Sequence, residues 1–83
     1  MKVIKFYADW CGPCKVYAPV FDKVMSESSV EYENINVDND TTGLAAKYKI
    51  ESVPTTVLVK EDGSHIMKVG RLSKDELTEL VLS

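Results

Sequence analysis

The spacing of apolar and polar residues changes period several times along the chain, and each change predicts an element. Residues 2–8, Lys-Val-Ile-Lys-Phe-Tyr-Ala, are dominated by β-branched and aromatic side chains facing both ways. That is the pattern of a buried strand in a mainly parallel sheet, with Lys5 as a charge in its middle. Over residues 12–28 the period becomes helical, and Cys14, Tyr17, Ala18, Phe21, Val24 and Met25 share one face. Pro19 lies inside this stretch, so a kink near Val16 to Ala18 is expected rather than a helix end. Ser26-Glu27-Ser28-Ser29 closes the helix, and Val30 to Val37 reads as a second strand. A strand–helix–strand unit of this length implies a parallel pair with a right-handed crossover.

The second half of the chain is built from shorter pieces. Asp38 to Thr41 is a loop rich in capping residues, and Thr42 to Tyr48 predicts a short helix with Leu44, Ala45 and Tyr48 on one face. Gly43 counts against that helix. A third strand follows over Thr55 to Lys60, then a turn signal, Glu61-Asp62-Gly63-Ser64, then a fourth strand over His65 to Val69. Strands three and four therefore form an antiparallel hairpin. Ser73 and Glu76 form a capping box that opens a final helix with Leu77, Leu80 and Val81 inward. The order is β-α-β-α-β-β-α. It predicts an α/β fold with a four-stranded mixed sheet covered on both faces by three helices.

At 83 residues one domain spanning 1–83 is expected. The net charge is −3 and the Lys and Arg residues are scattered, which argues against a nucleic-acid surface. Met1-Lys2 leads straight into the first strand without a secretory pattern. No apolar run approaches the length of a membrane span. The expectation is a cytoplasmic monomer with no membrane association. In a reducing compartment a C-x-x-C pair points to redox or metal chemistry rather than structural cross-linking.

The two cysteines, Cys11 and Cys14, are the only ones in the chain. A helix opening near Cys11 brings residues three apart onto one face, close enough for an exchangeable disulfide. The loop such a bridge closes is too short to restrict the unfolded chain much, so its role is chemical. A helix start offers unpaired N–H groups and the positive end of the dipole, which favour thiolate over thiol. Pro13 fits the first turn because its missing N–H has no helical partner there. Gly12 lets an incoming chain approach the backbone closely. Structural zinc takes four ligands, and the one histidine, His65, lies on a distant strand.

The run Trp10-Cys11-Gly12-Pro13-Cys14-Lys15 resembles the active site of the thioredoxin family. Phe6-Tyr7-Ala8-Asp9 before it, Ala18-Pro19 after it, Asn36-Val37-Asp38, Val53-Pro54-Thr55, Lys68-Val69-Gly70 and Leu72-Ser73 match the family in order over essentially the whole chain. The resemblance is to a minimal form, lacking the strand and helix with which most thioredoxins begin. Val30 to Val37 is then expected at an exposed sheet edge, where Glu31 and Glu33 discourage edge-to-edge pairing.

The resemblance implies a thiol–disulfide oxidoreductase, an electron carrier that reduces protein disulfides. Cys11 is the nucleophile that forms a mixed disulfide, and Cys14 is the resolving thiol that releases the substrate and closes the Cys11–Cys14 disulfide. In the resembled fold the bond before Pro54 is cis and faces the disulfide, which would leave the Val53 backbone free to pair with an extended substrate. Trp10 shields the disulfide or meets partner proteins, and Gly70 ends a strand while admitting substrate. The resemblance further implies no bound cofactor and a flavoprotein reductase of thioredoxin-reductase type that would supply electrons from NADPH. The alternatives are a glutaredoxin-like protein recharged by glutathione, which only the domain size supports, and a non-catalytic binding module, against which both retained cysteines speak.

One departure from the family is chemical. Lys5 occupies the position of a buried aspartate beneath the cysteines, and Asn34 the place of the lysine usually opposite it. A cation there would favour thiolates and make the disulfide more oxidising. Otherwise Lys5 snorkels to solvent or pairs with a nearby carboxylate.

Overall fold

The protein, described here over residues 1–82 of a computed structural model, is built around β1 (Lys2–Tyr7). It continues through α1 (Gly12–Glu27), β2 (Glu31–Asn36), a 3-10 turn (Val37–Asn39), α2 (Leu44–Lys47), β3 (Thr55–Val59), β4 (His65–Val69) and α3 (Lys74–Leu82). The four strands form one sheet in the order β2-β1-β3-β4. β1 runs parallel to β2 and antiparallel to β3, and β3 runs antiparallel to β4. β1 thus has a hydrogen-bonded strand on each side, while its apolar character on both faces matches a core on either face of the sheet.

Alternation along β1 sends its side chains into two separate cores. Val3 packs with Tyr17, Phe21, Val24 and Met25 of α1, Leu58 of β3, and Leu77 and Leu80 of α3. On the opposite face Ile4 and Phe6 pack with Ile35 and Val57 beneath Leu44, Ala45 and Tyr48. Helices α1 and α3 therefore cover one face of the sheet, and the α2 segment the other. A third, smaller cluster joins Ala8, Cys11 and Cys14 at the end of β1.

The mixed α/β architecture and most elements follow the sequence expectation. β4 has the expected bounds, and β2 lies at the edge, with Glu31 and Tyr32 exposed. In the capping box Ser73 Oγ accepts from the N–H of Glu76, and the Glu76 carboxylate accepts from the N–H of Ser73. α1 passes through Pro19 without interruption.

The α2 region differs from expectation. Gly43 adopts φ +77°, and helix begins only at Leu44. Asp40 sets this turn by accepting from the N–H groups of Thr42 and Ala45, which consumes donors a longer helix would leave unpaired.

Candidate active site

The site forms where β1 ends and α1 begins. The N–H of Cys11 donates to the carbonyl of Ala8 at 3.2 Å, which turns the chain. Cys11 then caps α1 with extended backbone, φ −88° and ψ 105°, and Pro13 sits in the first turn. The Sγ of Cys11 accepts from the N–H of Cys14 at 3.2 Å. A sulfur in this place occupies the position of a capping oxygen and lies at the positive end of the helix dipole. Cys11 and Cys14 are joined by a disulfide with Cα atoms 5.2 Å apart.

Cys11 is expected at the surface with Cys14 deeper. Instead both are buried, at 3% and 4% exposure. Tyr7, Val37 and Val53 close over the pair. What reaches solvent is the rim formed by Trp10, Gly12 and Pro13.

The proline loop faces this rim. The Val53–Pro54 bond is cis, as the resemblance implies. The carbonyl oxygen of Val53 lies 3.6 Å from Cys11 Sγ. Gly70 reaches the same loop from the end of β4, and its φ of +95° belongs to a region that side-chain-bearing residues rarely enter. A Cβ built on Gly12 would meet nothing within 4 Å, so the fold itself leaves that side of the rim open.

Two contacts of the rim were not read from the sequence. Trp10 is 71% exposed, yet its Nε1–H donates to Asp38 at 2.7 Å. Asp9 accepts from the Asn36 side chain at 3.3 Å. Both tie the loop before α1 to the segment leaving β2. The signal was the pair of polar residues Asn36 and Asp38 at the end of a strand that runs parallel to β1.

Lys5 lies beneath the site and is only 5% exposed. Its Nζ sits 4.9 Å from the Phe21 ring centroid, 5.7 Å from that of Tyr7 and 6.0 Å from that of Tyr17, within cation–π range. Across the strands it is in register with Asn34 on β2 and Thr56 on β3. Among the described residues no carboxylate lies within 4.0 Å of it. Burial pushes its ammonium below the ordinary lysine range, with Asp22 partly opposing the effect. Lys5 thus forms no ion pair among the described residues, and only a small part of its surface reaches solvent. It lines a cavity of about 530 Å³ together with Tyr7, Asp9, Cys14, Lys15 and Asp22.

His65 stays on the surface of β4 with its ring 4.9 Å from that of Tyr48. Among the described residues no cluster of three or more His, Cys, Asp or Glu side chains is placed to hold a metal. No helix is long and apolar enough to cross a membrane.

The thioredoxin family model matches residues 1–83. The chain belongs to the thioredoxin family. It is 42% identical over 80 residues to the thioredoxin of Mycoplasma pneumoniae, covering 95% of this chain and 78% of that one. It is 41% identical over 81 residues to the thioredoxin of Chlamydia caviae, with 95% and 78% covered. Among solved structures, a mutant thioredoxin from Halobacterium salinarum superposes with a TM-score of 0.83 at 36% identity, covering 96% of this chain and 70% of that one. Chloroplastic thioredoxin z gives the same TM-score, 0.83, at 28% identity, with 96% and 74% covered. This thioredoxin-family protein is accordingly a protein thiol–disulfide oxidoreductase, and protein disulfides are the substrates on which thioredoxins act. The family ordinarily works without a bound cofactor.

Proposed function

We propose that Cys11 is the attacking sulfur and Cys14 the resolving one in a dithiol–disulfide cycle carried by a single domain spanning residues 1–83. The observation that carries this reading is the placement of Cys11 Sγ as the cap of α1, accepting the Cys14 N–H at 3.2 Å. In the reduced protein that N–H and the helix dipole stabilise a Cys11 thiolate. The thiolate attacks one sulfur of a substrate disulfide, forming a mixed disulfide and displacing the other substrate sulfur as a thiolate. Cys14 then attacks Cys11 Sγ, the Cys11–Cys14 bond forms, and the second substrate sulfur leaves. Two electrons pass to the substrate, and the displaced thiolates take protons from solvent.

The substrate segment lies along Val53 and Pro54 in extended form, pairing with the Val53 backbone, while Gly70 and Gly12 give it room and Trp10 offers a flat apolar face. A flavoprotein reductase using NADPH returns the electrons. The protein works as a monomer in the cytoplasm and needs neither membrane nor nucleic acid. Lys5 favours the reduced form by its charge, so Lys5→Asp lowers the redox potential.

Insulin disulfide reduction tests the cycle. Activity is expected with thioredoxin reductase and NADPH, little with glutathione, and none in Cys11→Ser. Equal turnover with glutathione would replace the electron donor proposed here, and full activity of Cys11→Ser would refute the assignment of the nucleophile.

A further inference from the structure

Lys5 carries a charge into the interior without a counter-ion. It is 5% exposed, and among the described residues no carboxylate lies within 4.0 Å of its Nζ. Asp22 of α1 favours the ammonium only from beyond that range. Across the sheet Lys5 meets Asn34 and Thr56, neither of which carries charge, and the Thr56 hydroxyl is engaged with that of Tyr17 at 2.8 Å. Among the described residues no fully buried side-chain nitrogen or oxygen lacks a hydrogen-bond partner. Lys5 Nζ has none, so it is not sealed in, and it reaches the cavity of about 530 Å³ that it lines. Asn34 lines the same cavity from β2, and its side-chain amide has no partner among the described residues. Tyr7, Ala8 and Ala18 supply apolar wall. The remaining charges on the cavity, Asp9, Lys15 and Asp22, are exposed at its mouth, and Asp9 accepts a hydrogen bond from Asn36. A buried cation without a counter-ion is costly, and an anion able to enter the cavity removes that cost.

We propose that this cavity binds a small aliphatic monocarboxylate, its carboxylate held by Lys5 Nζ and the Asn34 amide and its short tail against Tyr7, Ala8 and Ala18. The two acids at the mouth repel a dianion more than a monoanion. The alanine and tyrosine walls suit a few methylene groups better than a hydrated halide. Cys14 lines the same cavity, so occupancy and redox state are linked. An anion beside the sulfurs opposes thiolate formation in the reduced protein. The carboxylate therefore binds the oxidised protein more tightly, and by reciprocity it lowers the redox potential. This coupling rests on the Cys11 thiolate of the proposed cycle, whereas the site itself does not.

Propionate titrated into the oxidised, unaltered protein at constant ionic strength, followed by lysine-selective NMR, tests the site without any variant. The Lys5 signal should shift saturably, and its titration should move to higher pH when propionate is bound. Sodium chloride and sodium phosphate should do markedly less, and an equal response to either would reduce the effect to a general counter-ion and overturn the proposal. Signals of Tyr7 and Asn34 should follow the same saturation curve, which Lys5→Met abolishes and Asn34→Ala weakens by about tenfold. Asp22→Asn should tighten binding. A Lys5 signal that ignores propionate but moves on Asp22→Asn would make Asp22 the counter-ion and overturn the proposal. Affinity for the reduced protein should be lower, and equal affinity in both states would overturn the redox coupling. Binding is read on the oxidised protein without turnover, so its failure leaves the assignment of Cys11 and Cys14 to be decided by insulin reduction.

Discussion

The N–H of Gly70 donates to the carbonyl of Pro54 at 2.8 Å. This single bond links the end of β4 to the loop facing the disulfide. It depends on Gly70 holding φ +95°, although a Cβ there would meet nothing within 4 Å. The cost of replacing Gly70 is therefore conformational, not steric. Gly70→Ala should destabilise the protein by roughly 1–2 kcal/mol and weaken substrate reduction as the loop loses its anchor. Urea denaturation and insulin reduction measure the two effects, and unchanged values in both would refute the link.

Gly12 provides the contrast. Its backbone needs no glycine, and the space beside it is open. Gly12→Val should leave the melting temperature nearly unchanged while raising KM for a protein disulfide more than for a small aryl disulfide. Equal effects on both substrates would show that the open side is not where protein substrates approach.

Tyr17 and Thr56 share a hydrogen bond of 2.8 Å in the core, with Tyr17 at 1% and Thr56 at 0% exposure. Tyr17→Phe leaves the Thr56 hydroxyl buried without that partner and should cost about 1–3 kcal/mol. Adding Thr56→Val should recover part of the loss, which a double-mutant cycle reads directly. Burial also raises the Tyr17 phenol above the usual tyrosine range, against a smaller opposing effect of Thr56. A raised folded-state value means stability that is complete below the unfolded tyrosine value and is lost as pH climbs through the folded one. The unaltered protein should therefore lose stability in that alkaline window, and Tyr17→Phe should lose less.

The Lys5 ammonium is shifted the other way. Its folded-state value lies below the unfolded one, so between the two the unfolded chain binds more protons and stability rises with pH. Oxidised Lys5→Met should be more stable than the unaltered protein near neutral pH, with the gain shrinking as pH rises toward the ordinary lysine range. A gain that is constant with pH would mean that the side chain's shape, not its charge, sets the cost.

Ser73 and Glu76 close the capping box of α3. Ser73→Ala should cost about 1 kcal/mol, read as a lower midpoint in urea at unchanged slope. The hydrogen bonds from Ser73 hold the Glu76 carboxyl below its usual range. Its contribution is present above the unfolded glutamate value and lost as pH falls through the folded one. Glu76→Gln should therefore flatten the acid limb of the stability profile.

Much of this fold was legible because its signals are local. β4, the capping box and the helical stripe of α1 are each written within a few residues. The pairing of Lys5 with Asn34 was legible only through the resemblance to the thioredoxin family, and the register of β1 and β2 agrees with it. The α2 start was misread because the carboxylate of Asp40 reaches forward to Thr42 and Ala45, which no hydrophobic period reports. The burial of Cys11 was misread for a different reason. It depends on Val37 and Val53, which are distant in sequence and converge only in the folded sheet. The tie between Trp10 and Asp38 escaped for the same reason.

β1 is flanked on both sides and hands its last residues directly to the redox turn. Amides along such a strand are expected among the slowest in the molecule to exchange with solvent. The sulfurs are consequently mounted just beyond a strand that has a partner on either side. Accommodation during docking falls to the incoming polypeptide, which favours targets whose cystines sit in segments loose enough to be drawn out straight.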